Sequence, residues 1–119
     1  MSRTAWQRQT PDAFWKQNDT SPALTEILKD GLGAVVDLTG ASVKFMAWFP
    51  GDTAVKVNAA AMIVGAATLG TVRYTPIAAD TNTVGDLMVE WQVNFGGGAI
   101  ETFPNSGWQK VRVMDDVAA

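Results

Sequence analysis

Apolar and polar residues alternate along most of this chain, most clearly in Leu87-Met88-Val89-Glu90-Trp91-Gln92-Val93-Asn94-Phe95. Leu87, Val89, Trp91, Val93 and Phe95 share one phase, and Glu90, Gln92 and Asn94 the other, with Met88 the exception. Successive side chains of a strand point to opposite faces, so the run predicts a strand with one buried and one wet face. Turn residues flank it, Thr81–Asp86 before and Gly96-Gly97-Gly98 after. One-side-buried strands of this kind belong to antiparallel sheets.

The same pattern recurs. Ser42 to Phe49 places Val43, Phe45, Ala47 and Phe49 on one side, while Met46 and Trp48 make the end of the second side apolar as well. Thr71–Thr75 alternates until Pro76, which cannot donate to a ladder. Ile100–Phe103 follows the triple-glycine turn and pairs with the 87–95 run. Trp108–Met114 directs Val111 and Val113 inward, with Trp108, Lys110 and Arg112 in the outward phase. The alanine-rich stretch Ala54–Val64 invites a helix, but its β-branched flanks and Gly65 favour a kinked strand. Pro22–Lys29 suits a helix, through Leu24 and Leu28, as well as a strand. Phe14–Lys16 is expected as a first strand.

Seven or eight short strands with turns every 8–12 residues predict an all-β fold, an immunoglobulin-like antiparallel β-sandwich without a disulfide. Trp91 is the candidate core tryptophan. The expected organisation is an N-terminal arm over 1–13 that contacts partners, a sandwich over 14–114 and a tail over 115–119.

Composition narrows the chemistry. With 119 residues, 47% of them apolar and 18% charged, the chain has enough material for one packed core. It has no cysteine and no histidine, which removes thiolate nucleophiles, zinc–thiolate sites and every base–nucleophile pair built on imidazole. A net charge of −3 without a basic block argues against nucleic-acid binding. No apolar stretch reaches the roughly 18 residues of a membrane span, and the start carries no secretory h-region. Glu90 and Glu101, placed across one hairpin, are expected to be solvated rather than to form an acid pair. Asp30, Asp37, Asp52, Asp80 and Asp86 lack calcium-loop spacing and are expected to build turns. No catalytic, cofactor or metal residue is assigned, and the chain is expected not to be an enzyme.

An ordered series of segments resembles a known family. The segments are Lys16-Gln17-Asn18-Asp19-Thr20-Ser21-Pro22, Val36 through Phe45 with Asp37-Leu38-Thr39-Gly40, Gly70-Thr71-Val72-Arg73-Tyr74, Ala79-Asp80-Thr81, Gly85 through Phe95, and Glu101-Thr102-Phe103-Pro104-Asn105. Over roughly residues 14–114 they resemble the immunoglobulin-like domain at the N-terminal end of phage baseplate upper proteins and its stand-alone structural relatives. Asn18 stands where that pattern usually has glycine, a position asparagine tolerates at positive φ. The chain also ends soon after the matching region, so functions of the larger proteins' later segments do not carry over.

The resemblance implies a non-enzymatic virion protein, made in the host cytoplasm and incorporated into the particle. Its expected role is a tail or baseplate component in a symmetric multi-copy assembly with other phage virion proteins. The alternatives are a neck or capsid-decorating protein, and a carbohydrate-binding module that meets a host-surface glycan through two coplanar exposed tryptophans. Five tryptophans exceed what one small core uses. Trp6, Trp15, Met46, Trp48 and Trp108 are therefore the expected interface anchors, aromatic and methionine side chains being enriched at interfaces.

Overall fold

The structure is a computed structural model that describes residues 11–105 and 107–115. Eight strands follow in order: β1 (Ala13–Lys16), β2 (Leu24–Ile27), β3 (Ser42–Trp48), β4 (Val57–Ile63), β5 (Thr71–Tyr74), β6 (Gly85–Gly96), β7 (Ala99–Phe103) and β8 (Gln109–Met114). Two short 3₁₀ turns, Ala67–Leu69 and Ala78–Asp80, are the only helical elements among the described residues. The all-β expectation holds. The alanine-rich stretch is strand, and the ambiguous Pro22–Lys29 segment resolves to β2. The Val35–Leu38 run contributes only an isolated bridge, Lys29 to Val35.

The strands lie in the order β1-β8-β6-β3-β4-β5-β2, with β7 also on β6. β6 is the spine. β3 runs antiparallel along one side of it, while β8 and β7 occupy the first and second halves of the other side. β1 differs in running parallel to β8. β4 changes partner along its length, from β3 at residues 57–61 to β5 at residues 62–63. That change folds the sheet over itself and brings β2 back toward β8, where the Gln109 amide donates to Glu26. The result is a nearly closed barrel.

Alternation accounts for the core. Val43, Phe45 and Ala47 of β3 and Leu87, Val89, Trp91 and Val93 of β6 are all buried. Phe45 lies at the centre. It stacks on Tyr74 at 4.2 Å, meets Trp91 edge-on at 5.0 Å and leans against Trp15 at 6.3 Å. Offset and edge-on arrangements suit the quadrupoles of the rings. Each polar tip in this cluster has a partner. Trp15 Nε1 donates to the Pro22 carbonyl at 2.7 Å, and Trp91 Nε1 to Gln109 Oε1 at 2.6 Å.

Several segments that carry the family resemblance prove to be folding devices. Asn18 takes φ +67° and is the only non-glycine residue at positive φ among those described. Its N–H donates to the Thr81 carbonyl, and Thr81 Oγ1 donates back to the Asp19 carbonyl at 2.8 Å. Asp37 Oδ1 accepts both the N–H and the hydroxyl of Thr39, so the turn holds itself while Leu38 enters the core. Gly70 packs so closely that a Cβ would lie 2.8 Å from the Val36 carbonyl oxygen.

Candidate interaction face

The outer face of β3, β6 and β8 is assembled by register, because residues directly opposite in an antiparallel pair share a face. One row runs from Trp48 to Met88 to Lys110. The next begins with Met46 opposite Glu90. Since Val89 pairs with Gln109, the same register carries Trp108 to the position beside Glu90. A third row joins Asp86 to Arg112 and then to Phe14 of β1. An apolar band of Met46, Trp48, Met88 and Trp108 therefore surrounds one carboxylate and borders a charged cluster.

Burial along this band is uneven. Met88 is 2% exposed although it points away from the core, whereas Met46, Trp48 and Trp108 are half-buried. Trp108 Nε1 is buried with no hydrogen-bond partner among the described residues. A buried donor without an acceptor is costly and uncommon in a finished structure.

The carboxylates of the face differ. Desolvation among the apolar neighbours pushes the Glu90 carboxyl above its usual range. Asp86 moves the other way, chiefly because Arg112 donates to it, against an opposing desolvation and with Lys110 adding to the effect. Arg112 Nε lies 2.8 Å from Asp86 Oδ1, and its Nη2 lies 3.3 Å from Oδ2. Lys110 Nζ approaches Asp86 Oδ2 at 3.7 Å, with a side chain only 3% exposed. Alternation places Lys110 on the outer face, as expected, but gives no sign of that burial.

The expected anchors separate. Met46, Trp48 and Trp108 come together on the face. Trp15 does not. At 1% exposure it is a core residue against Phe45, so its expectation as a surface anchor is corrected. The cause is its phase on β1, opposite to that of exposed Phe14. Trp6 lies outside the described residues. The sequence reading missed Glu90 and the Asp86–Lys110–Arg112 cluster as parts of this face. Their shared phase with Met88 was the available signal.

The chemistry of the remaining acids is structural. Glu90 and Glu101 do not face one another across the hairpin, which corrects that expectation. Glu101 pairs with Val93, a core position, and Glu90 with Met46 on the outside. Asp30 Oδ1 accepts the N–H groups of Leu32 and Ala34, and Asp80 Oδ2 accepts the phenol O–H of Tyr74 and the N–H of Ile77. Among the described residues, no group of three or more histidine, cysteine or acidic side chains could hold a metal ion. No helix there is long and apolar enough to cross a membrane.

No family model matches the sequence, and no curated protein is similar to it in sequence. Among solved structures, the N-terminal domain of phage TP901-1 ORF48 is similar in fold. The two superpose with a TM-score of 0.60 over 92% of this chain and 91% of that one, at 12% identity. At that identity the likeness concerns the fold alone.

Proposed function

We propose that this chain is a non-enzymatic structural protein of a tailed phage virion, a tail or baseplate component that docks on neighbouring tail proteins. The observation that carries the reading is the fold shared with a phage protein's N-terminal domain across nearly the whole of both chains. The ordered segments that resemble the N-terminal domain of baseplate upper proteins point the same way. In this reading residues 14–114 form an immunoglobulin-like sandwich whose two layers are joined by the partner change of β4. Copies are arranged by the symmetry of the tail, and the protein resides in the particle.

Docking is assigned to Met46, Trp48 and Trp108. These side chains leave apolar area half-covered, and methionine and tryptophan are residue types that protein interfaces favour. A glycan platform has less support. Trp48, on β3, and Trp108, just before β8, flank β6 on opposite sides, about 10 Å apart at ordinary strand spacing, with Met88 and Glu90 between them. The absence of histidine and cysteine from the sequence supports a non-catalytic role.

Antibodies raised against the purified protein test the assignment on negatively stained particles of the source phage. Label at the tail tip is expected. Label confined to the neck or head would move the protein to one of those structures, and unlabelled particles would remove it from the virion.

A further inference from the structure

Leu32 is 96% exposed, yet it sits at the tip of a firmly built turn. Asp30 Oδ1 accepts the N–H groups of Leu32 and Ala34 at 2.9 and 3.0 Å. The backbone closes the same turn through Asp30 N–H to the Ala34 carbonyl and Gly33 N–H to the Asp30 carbonyl. Val35, 45% exposed, packs against Gly70, and the adjacent Leu69 is exposed as well. An apolar side chain held out by four hydrogen bonds is a fixed knob rather than the tip of a loose loop.

A cavity of about 440 Å³ is lined by Val84, Val113 and Met114, with Lys16, Arg112 and Asp115 among its charged lining residues. Strand register places it at the other end of the barrel. Asn94 pairs with Ser42, Val43 with Ala61, Ile63 with Val72, and Thr71 with Ile27. The Leu32 turn, which follows Ile27, therefore lies where β6 ends. Gly85 pairs with Val113, and Lys16 with Met114, so the cavity lies where β6 begins.

We propose that copies of this chain associate head to tail, with Leu32 of one copy seated in the cavity of the next. The cavity has ample room for a leucine side chain, and its floor is apolar. The charges complement one another. Lys29 and Asp30 beside the knob meet Asp115 and Lys16 beside the cavity, and none of these four makes a salt bridge among the described residues. The contact is heterologous, since knob and cavity are different surfaces, so it builds a ring or a stack rather than a closed pair. It uses none of the anchors Met46, Trp48 and Trp108, although Asp86 and Arg112 of the charged cluster bordering that face also line the cavity.

Sedimentation of the full chain over rising concentration tests this, with two variants at exposed positions, Leu32→Asp and Val84→Glu. The wild type is expected to associate, and each variant alone to weaken association at least about tenfold, as losing one buried leucine contact implies. An equimolar mixture of the variants is expected to form one-to-one dimers and no larger species, because one intact knob still meets one intact cavity. Circular dichroism confirms that each variant is folded. A wild type that stays monomeric to roughly 1 mM overturns the proposal. So does association that survives Leu32→Asp but is lost in Trp48→Ala, or a mixture that restores nothing.

Discussion

The phenol of Tyr74 donates to Oδ2 of Asp80 at 2.5 Å, while its ring lies flat on Phe45 with an interplanar angle of 2°. One residue thus joins the aromatic centre of the barrel to the 3₁₀ turn that receives the Asn18–Asp19 loop. Burial, followed by the bond to Asp80, pushes the Tyr74 phenol well above its ordinary value. The folded state then holds this proton more tightly than the unfolded chain does. Stability is undiminished by this group below about pH 10 and falls as pH rises beyond it. Tyr74 is the only tyrosine in the chain, so phenolate absorbance reports on it directly. Its ionisation is expected to coincide with unfolding. Tyr74→Phe should cost about 1–2 kcal/mol at neutral pH and flatten the alkaline decline.

Trp15 and Trp48 should respond differently to truncation. Trp15 is enclosed beside Phe45, and Trp15→Ala should cost about 3–5 kcal/mol through the cavity it leaves. Trp48 is half-buried on the outer face, and Trp48→Ala should cost about 1 kcal/mol. Urea midpoints of the two variants provide the comparison.

Glu90 and Asp86 impose opposite pH dependence from one face. The raised Glu90 carboxyl makes the folded state favour the proton, so stability falls as pH rises through the carboxylate range. The lowered Asp86 carboxyl contributes stability that is present above its unfolded value and lost as pH falls through its folded one. At neutral pH, Glu90→Gln should therefore stabilise the protein and Asp86→Asn should destabilise it. Thermal midpoints between pH 3 and 8, spanning the carboxylate range, should show the two changes with opposite sign.

Gly70 should tolerate no side chain. Its φ of +65° is unfavourable for other residues, and a Cβ would meet both Val35 Cγ1 and the Val36 carbonyl oxygen at 2.8 Å. Gly70→Ala should cost more than about 1 kcal/mol, whereas Gly97→Ala, with open space around it, should cost less. Chemical denaturation of both variants separates the close approach from the conformational effect.

Much of the fold was legible because strand alternation is local. The phases of β3, β6 and β8 follow directly from Val43, Phe45, Trp91, Val111 and their neighbours, and they place Met46, Trp48 and Trp108 on the outer face. Closure of the barrel was not legible. It depends on β4 exchanging β3 for β5 and on Gln109 reaching Glu26, contacts between residues far apart in the chain. The burial of Trp15 was not legible for a related reason. A four-residue strand carries too short a pattern to show which side faces inward, and only its pairing with β8 decides that. The burial of Lys110 and Met88 on an outward face was hidden because alternation reports direction and not what lies above it.

Incorporation into particles is the direct test of docking through Met46 and Trp48. The wild type and a folded Met46→Ala/Trp48→Ala variant would be supplied separately to assembling phage that lack the native copy, and the purified particles quantified for the protein. Docking through this face predicts tail-associated wild type and at least about a tenfold loss for the variant, as expected when central interface anchors are removed. Equal incorporation of the two would contradict docking through this face.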